Sequence, residues 1–227
     1  MMKKHIINSI LFCFIALTTM AQENITKNVG DFSELKVFDG ISVRLIKSTE
    51  SKAVISGEDA NKVTMVNKNG ELKIRMSIKK VFNGYKTYID LYYNKMIDVI
   101  DVNESAFVSS PDTIQQVTLE LKTQEGAEVD IPVDVDKLDI KAVTGGIVET
   151  KGKAKSQTIS IRTGGHYNGE KLESGQADIS INAGGAATIK AIDYLKARVK
   201  AGGTVTIIGK PKVIDQQTFL GGKIIEQ

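Results

Sequence analysis

Apolar residues alternate with polar ones in short bursts along the second half of the chain, and each burst stops at a pair of glycines. The positions five, three and one before the first glycine read Ile140, Ala142, Thr144, then Ile159, Ile161, Thr163, then Ile179, Ile181, Ala183, then Ala197, Val199, Ala201. Three residues after the first glycine stands Val148, Tyr167, Ala187, Val205 or Ile224, an apolar or aromatic side chain every time. Strict alternation of this kind predicts strands with one buried face.

The glycine pairs are Gly145-Gly146, Gly164-Gly165, Gly184-Gly185, Gly202-Gly203 and Gly221-Gly222, spaced by 19, 20, 18 and 19 residues. A long fixed period predicts a solenoid. Two decayed copies lie upstream. One has Leu119, Leu121 and Thr123 before Gly126 and Val129 after it, and the other places Ser105 and Val108 in the matching positions. The repeat is therefore expected from residue 97 to residue 227, each copy forming one coil of a parallel β-helix whose inward residues stack on the neighbouring coils. Parallel connections within one sheet are almost always right-handed, so the coil is expected to be right-handed.

Glycine weakens a strand interior by about 0.5–1 kcal/mol against alanine, so five pairs in register are expected at corners. There a positive φ is needed, or a Cβ would meet the coil stacked about 4.8 Å away. A phosphate cradle would need one glycine loop between a strand and a helix, and this chain offers five loops and no helical pattern. Calcium-binding repeats need an aspartate in each loop, whereas the residues after the pairs are Ile147, His166, Ala186, Thr204 and Lys223.

Residues 22–96 are also rich in strand-forming segments, but without the period: "FSELKVFDGISVRLIKS", "KAVISGED", "KVTMVNKNGELKIRM" and "KTYIDLYYNK". Asn69-Gly70 between two alternating runs predicts a hairpin. This segment is expected to cap the first coil, as terminal units of solenoids do. The other end is expected to be covered only by "KIIEQ" or by a partner.

Residues 1–21 read as an export signal: Lys3 and Lys4, an apolar run from Ile6 to Leu17, and a small-residue end at Ala21. The run is too short for a permanent span, and none is expected after cleavage. Cys13 sits behind bulky Phe12 within the apolar run, which argues against lipidation. Cleavage removes Cys13, the sole cysteine, and His5, leaving His166 as the one histidine. A disulfide framework, a cysteine nucleophile and Cys- or multi-His zinc sites are thereby excluded within one mature chain. Losing Lys3 and Lys4 takes the 30 basic residues to 28 against 27 acidic ones, a net charge of +1. That balance argues against nucleic acid and anionic membrane as main partners.

The export signal, the opening "FSELKVFDGISVRLIKS" with "KAVISGED" and "NGELKIRM", and glycine doublets every twenty residues or so ending near "GKPKV" together resemble a bacterial family. It is the family described as auto-transporter adhesin, head GIN domain, otherwise a domain of unknown function. The resemblance covers nearly the whole mature chain and implies a β-helical envelope protein of Bacteroidetes-type bacteria, with no established catalytic residues and with adhesion as the expected role. The doublets here are Thr-Gly-Gly or Ala-Gly-Gly where the family often has Ser-Gly-Ser-Gly. An auto-transporter's own barrel needs a series of lipid-facing strands of about ten residues each, for which "QQTFLGGKIIEQ" leaves no space. Periplasm is therefore the first expected compartment, cell surface or secretion the second.

Between the inward residues, three outward columns are expected: Arg162, Asn182 and Lys200; Lys141, Ser160, Ser180 and Arg198; and Asp139, Thr158, Asp178 and Lys196. Arg162, Lys196, Arg198 and Lys200 give this face a basic end suited to a carboxylated glycan or an acidic protein. The same face also reads as a solvated sheet with weak cross-coil pairs such as Asp178 with Lys196. The aromatic tract of Phe82, Tyr85, Tyr88, Tyr92 and Tyr93 is a second candidate, because tyrosines stack on sugars. Alternation sets Tyr88, Asp90 and Tyr92 on one face and Ile89, Leu91 and Tyr93 on the other. In His166-Tyr167-Asn168, Tyr167 fits the inward register, which makes His166 a lone surface histidine.

β-Helices also carry polysaccharide lyases and hydrolases, which need converging carboxylates. Asp178, Asp193, Glu170 and Glu173 are available, but no pair recurs at a defensible geometry. No catalytic residue, cofactor or metal site is assigned. The expected function is a noncatalytic envelope binding or structural module whose partner is a glycan or an envelope protein. The alternatives are a polysaccharide-acting enzyme and an assembly protein that stacks copies through its last coil.

Overall fold

The computed structural model describes residues 24–77 and 86–227. The export signal, Phe82 and Tyr85 lie outside them. In chain order the strands are β1 (Ile25–Asn28), β2 (Glu34–Val37), β3 (Ser42–Lys47), β4 (Lys52–Gly57), β5 (Val63–Lys68), β6 (Glu71–Met76), β7 (Thr87–Tyr93), β8 (Val99–Val102) and β9 (Phe107–Ser109). They continue with β10 (Ile114–Thr123), β11 (Glu128–Val143), β12 (Ile147–Arg162), β13 (His166–Asn182), β14 (Ala186–Lys200), β15 (Thr204–Ile208), β16 (Val213–Phe219) and β17 (Lys223–Glu226).

Parallel pairing arranges these strands as two columns that enclose one core, a β-solenoid of about seven turns with coils of about 19 residues. The first column runs β6, β2, β8, β10, β11, β12, β13, β14, β16. The second runs β7, β3, β9, β11, β12, β13, β14, β15, β17. β11 to β14 belong to both, because each passes from the second column round a bend into the first. Pairing breaks at that bend, at Asp136, Lys155 and Gly175.

Each coil turns its other corner at a glycine motif. Thr144 and Gly145 have φ of 49° and 74°, Thr163 and Gly164 49° and 76°, and Ala183 and Gly184 60° and 79°. Two successive positive φ values make a type I′ turn, closed in three of the copies by Gly146 N–H to Val143 O (2.9 Å), Gly165 N–H to Arg162 O (3.2 Å) and Gly222 N–H to Phe219 O (3.4 Å). The second glycine of each pair answers a different need. A Cβ on Gly146 would lie 2.6 Å from the Thr123 carbonyl, and one on Gly165 2.3 Å from the Ala142 oxygen. The first glycine thus serves the turn and the second the close approach of the coil beneath.

The inward register is the one the alternation predicts at the positions five and three before the first four glycine pairs, since Ile140, Ala142, Ile159, Ile161, Ile179, Ile181, Ala197 and Val199 are all buried, as are Leu119 and Leu121 upstream. Thr144, Thr163, Ala183 and Ala201, one residue before the glycines, are instead already in the turn with positive φ and are exposed. Tyr167 points inward too, 2% exposed, with its hydroxyl 3.0 Å from Thr150 Oγ1 and donating to Gln157 Oε1 at 2.9 Å. Gln157 Nε2 donates on to Ser174 Oγ at 2.7 Å, so this buried polar row is satisfied from side chain to side chain. Burial in this apolar setting pushes the Tyr167 phenol far above its ordinary value, against a smaller opposing effect of the Thr150 hydrogen bond.

The N-terminal segment supplies rungs as well as a cap, and their spatial order differs from their chain order. β2 and β3 sit between β6 and β7 on one side and β8 and β9 on the other. Asp39 and Gly40, with φ of 60° and 68°, turn this early rung as the later doublets turn theirs. Asn69-Gly70 makes the expected hairpin, joining antiparallel β5 and β6. Beyond β6 and β7 the strands are antiparallel: β5 on β6, β4 on β7 and β1 on β4. These are the lids of the solenoid. Lys27 Nζ bonds Val63 O at 2.9 Å, and Asn67 Nδ2 bonds both Val29 O and Asp31 O at 2.8 Å, tying the two lids together.

Candidate functional site

The outer face of the first column places charges in long rows, because parallel stacking puts equivalent residues directly above one another. The row Asp139, Thr158, Asp178, Lys196 continues to Glu120, Val99, Glu34 and Glu71 toward one end and to Asp215 toward the other. Beside it runs Lys73, Lys36, Asp101, Lys122, Lys141, Ser160, Ser180, Arg198 and Gln217. A largely acidic row therefore lies next to a largely basic one.

Toward the N-terminal end the two rows neutralise each other. Lys36 Nζ reaches Glu71 at 2.6 Å and Glu34 at 3.1 Å, while Glu120 receives Lys141 at 2.6 Å and Lys122 at 2.9 Å. Hydrogen bonds to Glu71 and Glu34 raise the Lys36 ammonium, and the Lys36 bond lowers the Glu71 carboxyl. For Glu120, desolvation acts upward, but the hydrogen bonds from Lys141 and Lys122 together outweigh it and hold the carboxyl below its ordinary range.

Toward the C-terminal end the balance shifts. Asp178 is in register with Lys196, yet its ion pair is with Arg198, at 2.8 Å, so the diagonal partner replaces the one expected directly across. The longer, forked guanidinium reaches back along the row where the compact ammonium of Lys196 does not. Arg162, Lys196 and Lys200 make no ion pair within 4.0 Å among the described residues. Arg162 and Lys200 are exposed, and they share their row with Asn182 and Phe219. Arg198, Val199, Lys200, Gln216, Gln217, Thr218 and Phe219 line a shallow depression of about 550 Å³. Gln216 and Thr218 also line a second one, of about 540 Å³, with Gly222, Lys223, Ile224 and Ile225 on the end of the stack. Both depressions meet at the last rung.

That rung is the part sequence reasoning underused. Its inward positions are Ile214, Gln216 and Thr218 in β16 and Ile224 and Glu226 in β17, by register with Leu195, Ala197, Val199, Val205 and Ile207. Its outward apolar residues are exposed: Val213 54%, Phe219 63% and Ile225 44%, with Leu220 at the corner 69%. The available signal was the polar Gln216 and Thr218 at positions that are apolar in the coils before.

The tyrosine patch lies at the opposite end and on the second column, so the structure does not bring it together with the basic residues. Tyr88 is 52% exposed and Tyr92 half-buried, while Tyr93 is in the core. Between Tyr88 and Tyr92, Asp90 accepts two bonds from Arg44, at 2.8 and 2.6 Å, and Lys52 stands 5.5 Å from the centre of the Tyr92 ring. Both cations come from strands that sequence reading had not paired with this tract.

Of the four carboxylates considered for catalysis, Glu173 and Asp193 come to one depression, which Asp134 and Asp136 also line, and the other two lie elsewhere. Glu173 and Asp193 line a depression of about 440 Å³ at the bend, paired with Lys190 at 3.6 Å and Lys212 at 2.7 Å. Glu170 is exposed on the second column and Asp178 lies on the first. His166 is exposed on the second column.

A family model described as "Putative auto-transporter adhesin, head GIN domain" matches residues 31–211. No curated protein matches the sequence. The fold is similar to a crystal structure of a putative adhesin from Bacteroides fragilis, at 17% identity over 92% of this chain and 98% of that one, with a TM-score of 0.83. It is similar also to a putative adhesin from Parabacteroides merdae, at 18% identity over 92% and 97% of the two chains and a TM-score of 0.73. A putative lipid binding protein from Parabacteroides distasonis has 18% identity over 92% and 98%, with a TM-score of 0.68. At such identities the likeness is one of fold.

Proposed function

The chain belongs to the family described as putative auto-transporter adhesin, head GIN domain, and from that premise we propose that it is an exported, noncatalytic envelope module that binds an acidic glycan or acidic protein through the C-terminal end of its first column. The observation that carries this reading is the change in charge balance along one face. From β6 to β11, Lys36, Lys122, Lys137 and Lys141 are paired with acids, although Lys73 and Asp101 are not, whereas Arg162, Lys196 and Lys200 make no ion pair among the described residues, and Lys200 lines the depression with Arg198, Gln217 and Phe219. Cations not already neutralised gain most from an incoming carboxylate.

The test is binding of the mature chain to immobilised acidic and neutral polysaccharides at two salt concentrations. Acidic polymers should be retained more strongly, and the joint change Arg162→Glu, Lys200→Glu should weaken that retention by about tenfold or more at low salt. Equal binding of neutral polymers, or no response to charge reversal, would remove this face from the reading. Release of oligosaccharide products would favour the polysaccharide-acting alternative. Periplasm is the proposed compartment, and protease treatment of intact cells should leave the protein undigested.

A further inference from the structure

The last rung carries a second surface, which shares Gln216, Gln217 and Phe219 with the depression beside Arg198 and Lys200, and we propose that it is a homodimer interface in which β16 pairs antiparallel with β16 of a second copy across a two-fold axis at Gln216. In these stacked parallel strands, outward residues bond the coil before and inward residues the coil after, as with Lys223 N–H to Gly203 O and the Phe219 carbonyl accepting from Ala201 N–H. In β16 the backbone groups of Ile214, Gln216 and Thr218 are therefore the ones directed to the open edge, where the described residues supply no strand.

An antiparallel register centred on Gln216 uses all of them. Gln216 exchanges bonds with its own mate, and Ile214 exchanges bonds with Thr218 of the second copy in both directions. The same register brings Val213 opposite Phe219 and Asp215 opposite Gln217 on the outer face. The two most exposed apolar residues of the strand thus cover each other, and its one carboxylate meets an amide donor. The axis lies along the sheet normal, so it also sets β17 against β17. The polar side chains of Gln216 and Thr218 suit a rung that meets water in the single chain, while their backbone groups gain partners in the pair.

The occupant is a second copy in closed symmetry and not a growing filament. Head-to-tail addition would need a parallel edge at the other end, and that end is closed by antiparallel β1, β4 and β5 with Lys27 and Asn67 bonded to lid carbonyls. Within β16, "VIDQQTF" has no proline, lysine or glycine to guard the edge and a single charge, Asp215, while the adjoining β17 carries Lys223 and the inward Glu226. A seven-residue strand and two sheets about 10 Å apart give a footprint of roughly 20 by 30 Å, so the pair would bury on the order of 1,200 Å², within the range of specific dimers.

The mature chain should sediment as a dimer at micromolar concentration. Gln216→Pro removes an edge N–H without touching the bonds to β14, a change that edge strands tolerate, and it should weaken self-association by about 100-fold while the circular dichroism melt is kept. In a chain without other cysteines after signal cleavage, Gln216→Cys should oxidise to a covalent dimer, because a hydrogen-bonded antiparallel pair sets its Cα atoms about 5.5 Å apart. Thr218→Cys, several residues from its own mate in this register, should not. A monomer at all concentrations, a dimer indifferent to Gln216→Pro, preferential cross-linking at 218, or a ladder of higher oligomers would each overturn the proposal.

Discussion

At the N-terminal end the stack of parallel rungs is interrupted by antiparallel β1, β4 and β5, and side chains of Lys27 and Asn67 sew the lids together. At the C-terminal end β16 and β17 keep the parallel direction and carry no lid among the described residues. The rungs differ accordingly. Under the lids the inward residues are Leu72, Ile74, Ile89 and Leu91, with at most 1% of each exposed, whereas the last rung turns Gln216, Thr218 and Glu226 to the same side. A rung that is covered can be wholly apolar. One left uncovered must carry polar groups, and its backbone stays available for pairing.

The largest test of this contrast places the same methyl group in a held rung and in the open one. A Cβ on Gly165 would stand 2.3 Å from the Ala142 oxygen and 2.6 Å from its carbon, with coils packed on both sides. On Gly222 the nearest atoms are Val199 Cγ1 and O at 2.8 Å, and the last rung can yield. Gly165→Ala should therefore cost about 3 kcal/mol or more and Gly222→Ala about 1 kcal/mol, read from urea unfolding midpoints. Equal losses would mean that the last rung is held as firmly as the middle.

A smaller effect is expected where the lids are sewn. Asn67→Ala removes both bonds from its amide to the carbonyls of Val29 and Asp31, at a partly exposed site, and should cost about 1 kcal/mol. Amide exchange in β1 and β5 should then rise toward that of β16 and β17. If β1 and β5 already exchange as fast as the last rung in the unaltered protein, the lids do not close that end.

These ends also mark how far the sequence could be read. Ile159, Ile161, Ile179, Ile181 and Val199 gave the inward register, and with it the three outward columns, because parallel stacking in phase leaves each residue above its equivalent. The first half lost its period because β2 and β3 stack between later strands, so chain spacing no longer measures rung spacing. Asp39-Gly40-Ile41 followed by Val43 is still the corner motif in short form, and Val43 is buried as Val148 is. Among candidate binding residues, the unpaired state of Arg162 and Lys200 followed from their row, but the choice of Arg198 by Asp178 depended on side-chain reach. The pairing of Asp90 with Arg44 and of Tyr92 with Lys52 depended on contacts between strands distant in the chain, which no local pattern encodes.

The smallest effect separates the neutralised part of the outer face from the rest. Glu71 and Glu120, held by Lys36 and by Lys141 with Lys122, have carboxyls below the ordinary value of 4.5 in the folded chain. The unfolded chain therefore takes up protons first as the solution is acidified. The stabilisation is complete above that ordinary value and is lost as pH falls through the folded values, so acid should loosen the rows between β6 and β11 first. Glu120→Gln should cost only a few tenths of a kcal/mol at neutral pH, since salt and solvent reach the pair, and should flatten the fall in melting temperature between about pH 5 and pH 3. An unchanged acid slope would assign the sensitivity to other carboxylates, and the contrast between a neutralised and an unpaired part of this face would then rest on geometry alone.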